Sequence, residues 1–118
     1  MVTSRPHASA EPCASQGVIT ADSPLEARFQ ATRALSEALV ETLSESDATI
    51  QSMEDASPAK WHLAHTTWFW ETFLLRDHRA DYTAHDERWA FLFNSYYEAE
   101  GDRIGRFSRG MLSRPSVD

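Results

Sequence analysis

The sequence predicts an all-α fold: two long helices followed by a long irregular arm. Three observations carry that expectation. Leu25, Phe29, Thr32, Leu35, Leu39 and Leu43 recur at spacings of three and four, the period of a helix with one apolar face. A second segment, "SPAKWHLAHTTWFWETFLL" at 57–75, opens on Ser-Pro and meets no clear breaker until "RDHRAD". From Asp77 to Asp118, Gly101, Gly105, Gly110 and Pro115 punctuate a stretch with no sustained period.

The 118 residues leave room for at most one domain. Eleven basic against eighteen acidic residues give a net charge of -7, which repels a phosphate backbone, so nucleic acid is not an expected partner. The single Cys13 rules out an internal disulfide and gives no sign of an oxidising compartment. The longest apolar run, Trp89 to Phe93, falls far short of the roughly 20 residues that span a bilayer. The N-terminus carries no apolar signal core, so no membrane is expected and the default location is cytoplasmic.

Residues 1–22 mix Ser, Ala, Pro and Gly without periodicity and read as a disordered tail; the domain is expected over 23–118. Ser23, Pro24 and Glu26 form a Ser-x-x-Glu capping box that should start the first helix, which ends near Ser44. The linker "SESDATIQSMEDA" holds Ile50 and Met53 and is expected to pack as a short helical turn beneath its neighbours. Ser57 and Pro58 repeat the cap-then-proline signal, and the second helix should reach about Arg76. A short helix is expected over Trp89 to Glu98. Two antiparallel helices each expose an apolar flank, so the chain by itself should self-associate or stay partly molten. The ending "SRPSVD" looks like the opening of a further helix, which points to the N-terminal part of something larger.

In the second helix Trp61, His65, Trp68, Thr72 and Leu75 share one face, with His62, Thr66, Phe69 and Phe73 beside it. An imidazole facing a bundle interior needs partners for both ring nitrogens. On residues alone, His62 and His65 are either boundary histidines bonded to neighbours or part of a metal site, which would need a third ligand from elsewhere. Trp61, Trp68 and Trp70 read as core filler. Arg103, Arg106, Arg109 and Arg114, in an otherwise acidic chain, make either a local anion site or a solvated basic loop. No phosphate loop, Cys pair or Ser/His/Asp order is present, which removes phosphoryl and acyl transfer.

Two long motifs in order, "SPAKWHLAHTTWFWETFLL" and "FLFNSYYEAEGDRIGRFSRGMLSRPSV", closely resemble the N-terminal DinB-like domain of the ergothioneine-biosynthesis sulfoxide synthases, the EgtB family. The resemblance covers 23–118. It implies part of a DinB-like four-helix bundle, truncated before the third helix, and a non-haem iron(II) held by three histidines. By motif, the "LAH" histidine is His65, the implied iron ligand, and His62 falls beside it as a supporting residue. "GRFSRG" places Arg106 and Arg109 on the carboxylates of the thiol substrate. Complete relatives join cysteine or gamma-glutamylcysteine to hercynine using dioxygen; the closely similar selenoneine synthases use a selenosugar. The chain departs from the pattern in two ways. No HxxxH pair follows His65, since His78 and His85 are seven apart, and the C-terminal domain of the formylglycine-generating-enzyme type is absent. The fragment alone is therefore expected to be inactive, and a non-catalytic helical interaction module is the reading from another class.

Overall fold

The computed structural model describes residues 24–117; the 1–22 tail, Cys13 and the expected cap at Ser23 lie outside the described residues. Within them the chain is helical, with no strand. Helix α1 spans Leu25–Ala38, α2 Glu45–Thr49 and α3 Ala59–Trp70. From α3 the chain runs unbroken through a π-helical turn, Glu71–Leu75, into α4, Arg76–His78. The arm carries α5, Trp89–Phe93, and two 3-10 turns, Glu98–Glu100 and Arg106–Met111. No described helix is long and apolar enough to cross a membrane.

Helix α1 ends at Ala38, short of the expected Ser44, because Ser44 begins the next helix. Its extended backbone breaks the run, its Oγ accepts from the Asp47 N–H at 3.1 Å, and the Asp47 carboxylate accepts from the Ser44 N–H at 3.4 Å. That reciprocal cap defines α2. The apolar stripe of α1 is real but uncovered: none of its residues is buried, and Leu25 and Leu39 are 79% and 71% exposed. The helix docks mainly through Phe29 and Arg33. Phe29 meets Trp70 edge-on at 5.1 Å, and Arg33 Nη1 donates to Thr66 Oγ1 at 2.6 Å.

In the linker, Ile50 and Met53 are exposed, contrary to expectation, and the residue that packs is Ala48. Glu45 carries the other contact of α2: it accepts from the buried Lys60 ammonium at 2.7 Å and from the Val117 N–H at 2.9 Å. A buried ammonium needs such a partner, and the pair fixes α2 and the chain's far end against α3.

The core is small. Trp61, Ala64 and Trp68 lie three and four residues apart on α3 and close over Phe93 of α5, with Phe69, Phe73, Trp89, Leu92 and Leu112 around them. Trp61 satisfies its indole N–H on the Leu92 carbonyl at 2.9 Å, joining the helix to the arm by packing and hydrogen bond together. The second helix starts after Pro58 without a side-chain cap, because Ser57 is used elsewhere, and its helical path continues to His78. Helix α5 stops at Phe93, not at Glu98. The fully buried Asn94 turns the chain: its Oδ1 accepts from the Tyr97 N–H at 3.1 Å and its Nδ2 donates to the Tyr97 carbonyl at 3.0 Å. A side chain that substitutes for backbone partners ends a helix in this way. Gly101 completes the reversal at φ +91°, where a side chain would be strained.

Candidate functional site

Helix α3 and the 3-10 turn Arg106–Met111 build one cleft between them. It has a volume of about 350 Å³, and its walls include Ser57, Trp61, His62, His65, Arg106 and Arg109. All four residues singled out by motif thus come together. A second, wider cleft of about 630 Å³ shares Ser95, Arg106 and Arg109 and opens past Tyr96 and Arg103.

Arg109 is the most constrained of them. It is 4% exposed, its Nη1 donates to Ser57 Oγ at 2.8 Å, and its guanidinium carbon lies 3.5 Å from the centroid of the Trp61 ring. Its Nε–H is buried with no hydrogen-bond partner, and no carboxylate pairs with Arg109 or Arg106 among the described residues. Removal from water, with Arg106 and then Arg103 as like charges, lowers Arg109 to about 10, still cationic at neutral pH. A buried cation with a spare donor is costly unless an anion completes it. Arg106 donates to Tyr96 Oη and to the Asp55 carbonyl, and its guanidinium stands over the Tyr96 ring at 5.3 Å. The other two arginines of the cluster are accounted for separately: Arg103 pairs with Glu98 at 2.9 Å, and Arg114 donates to the adjacent Ser113 carbonyl.

The sequence did not single out three residues that position this site. Gln51 grips the 3-10 turn at both ends, donating to the Arg106 carbonyl at 2.8 Å and accepting from the Gly110 N–H at 3.0 Å. A Cβ on Gly110 would lie 2.7 Å from the Gln51 side chain, so this close approach requires glycine. Ser57, which the sequence offers as a helix cap, anchors Arg109 instead, and Tyr96 orients Arg106. A polar linker residue and an exposed tyrosine have no periodicity to betray them.

His65 has a defined tautomer. Its Nδ1 lies 2.7 Å from the Phe93 carbonyl oxygen, which can only accept, so Nδ1 carries the proton and Nε2 keeps a lone pair. The ring stacks on Trp61 at 4.8 Å, nearly parallel. His62 is more exposed, at the cleft rim. Loss of hydration lowers the pKa of both imidazoles, with Arg109 a further repulsive charge for each and His65 for His62; the Phe93 carbonyl partly opposes this at His65. Both rings are accordingly neutral bases at neutral pH.

A histidine pair depressed in this way makes the fold sensitive to acid. The unfolded chain binds protons near pH 6.5, whereas the folded chain takes them up only at lower pH. The stability contributed by neutral imidazoles is therefore present above about pH 6.5 and is lost as the pH falls through the folded values. Urea midpoints should drop between pH 7.5 and 5.5, and the double variant His62→Gln/His65→Gln should flatten that slope. A midpoint that ignores pH in the parent chain would contradict the loss of hydration at the two rings.

Among the described residues, no group of three His, Cys, Asp or Glu side chains comes together as a metal site. His78 ends α4, and His85 packs against Trp89 at 5.0 Å, so neither joins His65. An iron held by three histidines is thus not accommodated by these residues alone: His65 offers one nitrogen where catalytic sites take about three protein ligands.

The described residues form an all-helical domain in which two arginines and two histidines line one cleft. Residues 28–113 match the DinB superfamily, and the chain belongs to it. No curated protein matches the chain.

Proposed function

We propose that the chain forms the N-terminal domain of a non-haem iron(II)-dependent, O2-using sulfoxide synthase that joins a cysteine-type thiol to hercynine in ergothioneine biosynthesis. The carrying observation is the placement of Arg106 and Arg109, without a carboxylate partner, in one cleft with the Nε2 lone pair of His65. The two motifs that resemble the EgtB family support the same reading, as does membership of a superfamily that includes metal-binding enzymes. In this reading the guanidinium pair grips the carboxylate of cysteine or gamma-glutamylcysteine by charge-assisted hydrogen bonds, filling the unused Nε–H of Arg109. Trp61 holds both Arg109 and His65 and so sets the distance between the anchored carboxylate and the imidazole. His65 serves as one iron ligand, His62 orients or packs beside it, and the remaining ligands come from outside residues 24–117.

A selenoneine synthase is the neighbouring alternative, and the arginine pair favours the carboxylate-bearing thiol over a sugar. A non-catalytic interaction module rests on a different observation, the uncovered apolar stripe of α1. Binding distinguishes these readings. Gamma-glutamylcysteine, followed by the indole N–H NMR signal of Trp61, should bind at least about 10-fold more tightly than cysteamine, which lacks the carboxylate. Equal binding of the two would remove the clamp, and no binding of either would leave the interaction module. Iron(II) titrated into this chain alone should bind weakly or not at all, since one imidazole cannot hold it against water and buffer.

A further inference from the structure

A third groove lies along α3 where α1 and the arm meet it, lined by neither Arg106 nor Arg109. Its volume is about 340 Å³ and its walls include Phe29, Arg33, Trp70, Glu71, Tyr82 and Trp89. Glu71 sits in the π-helical turn, 6% exposed. The Tyr82 hydroxyl and the His85 backbone N–H both donate to its Oε1, at 2.6 and 2.5 Å, and no hydrogen bond reaches Oε2 among the described residues. Arg33 crosses from α1 and donates to Thr66 at 2.6 Å and Thr67 at 3.4 Å, which leaves further N–H groups of its five unused. Neither charge has an ionic partner among the described residues, nor do the two pair with each other. The groove therefore presents a recessed carboxylate and a guanidinium, separated, with aromatic walls between and around them.

We propose that this groove binds a zwitterionic α-amino acid with an apolar side chain: its ammonium on Glu71 Oε2, its carboxylate on Arg33, its side chain against Phe29, Trp70 and Trp89. A single cation would leave Arg33 unanswered and feel its repulsion, and a single anion would face Glu71. Only a ligand carrying both signs answers both groups. The aromatic walls flank the two ion pairs and add affinity for an apolar body and an ammonium. The π turn inserts its extra residue where Glu71 is buried, a distortion often found at binding sites. The proposal is independent of the sulfoxide synthase reading, since no arginine or histidine of that cleft except through the shared helix takes part.

The test is an NMR titration of the whole chain, following the indole N–H signals of Trp70 and Trp89. The probes are L-phenylalanine and its two half-charged analogues, phenethylamine and 3-phenylpropanoate. L-Phenylalanine should shift both signals to saturation, and each analogue should bind at least about 10-fold more weakly. Glu71→Gln, which keeps an acceptor for Tyr82 and His85, and Arg33→Met should each weaken L-phenylalanine by a similar factor. No saturable shift, an analogue that binds as well as the zwitterion, or unchanged affinity in Arg33→Met would overturn the proposal. If Glu71→Gln fails to fold, Arg33→Met decides alone, because Arg33 is only partly buried. Loss of L-phenylalanine binding in Arg109→Met would move the ligand to the other cleft and equally overturn it.

Discussion

Replacing Trp61 by alanine should abolish cooperative unfolding altogether. Truncating a buried tryptophan costs about 3–5 kcal/mol, a large share of the stability of any small domain. Here the side chain is 3% exposed and is one of four residues in the buried cluster. Its loss also orphans the Leu92 carbonyl and removes the surface on which His65 and Arg109 rest. Trp70→Ala is the matched control: Trp70 is 38% exposed and touches Phe29 and Phe69 at the periphery. Near-ultraviolet circular dichroism on heating separates the two, with a sharp transition kept in Trp70→Ala and lost in Trp61→Ala. A sharp melt in both would show that the core does not depend on the Trp61 contacts.

Arg109→Met should weaken carboxylate binding by about 10- to 100-fold without lowering stability. The guanidinium is buried, has an unpartnered Nε–H and is repelled by Arg106 and Arg103, so in the absence of an anion its charge opposes folding. Methionine keeps most of the volume against Trp61, loses one hydrogen bond to Ser57 and removes the desolvation cost. The melting temperature should therefore hold or rise, while affinity for gamma-glutamylcysteine falls by about 10- to 100-fold. Arg109→Lys should recover little, since an ammonium cannot offer the same fork of donors. A large destabilisation with binding intact would mean that Arg109 is a structural residue and the cleft is not built around it.

That the chain is helical, where its two main helices lie and that its last stretch crowds arginines were all legible in the sequence. Those features are local: three-and-four spacing, Ser-Pro starts, and arginines crowded into one turn leave their mark within a few residues. It also identified the DinB-like character of the domain, since long motifs keep their order even where single spacings say little. Which apolar faces are covered was settled by three-dimensional packing. Leu25 and Leu39 have the same periodicity as Trp61 and Trp68, yet the first pair faces solvent and the second is buried, because burial depends on what arrives from elsewhere in the chain. Boundaries failed for a related reason. Ser44, Ser57 and Asn94 can each cap, turn or anchor, and the partner that chooses among these roles is Asp47 close by, Arg109 in the distant arm and Tyr97 across a turn. The tautomer of His65, set by a carbonyl that lies 28 residues away in sequence, was likewise a matter of three-dimensional contact, as was the presence of Arg33 and Glu71 in the walls of one groove.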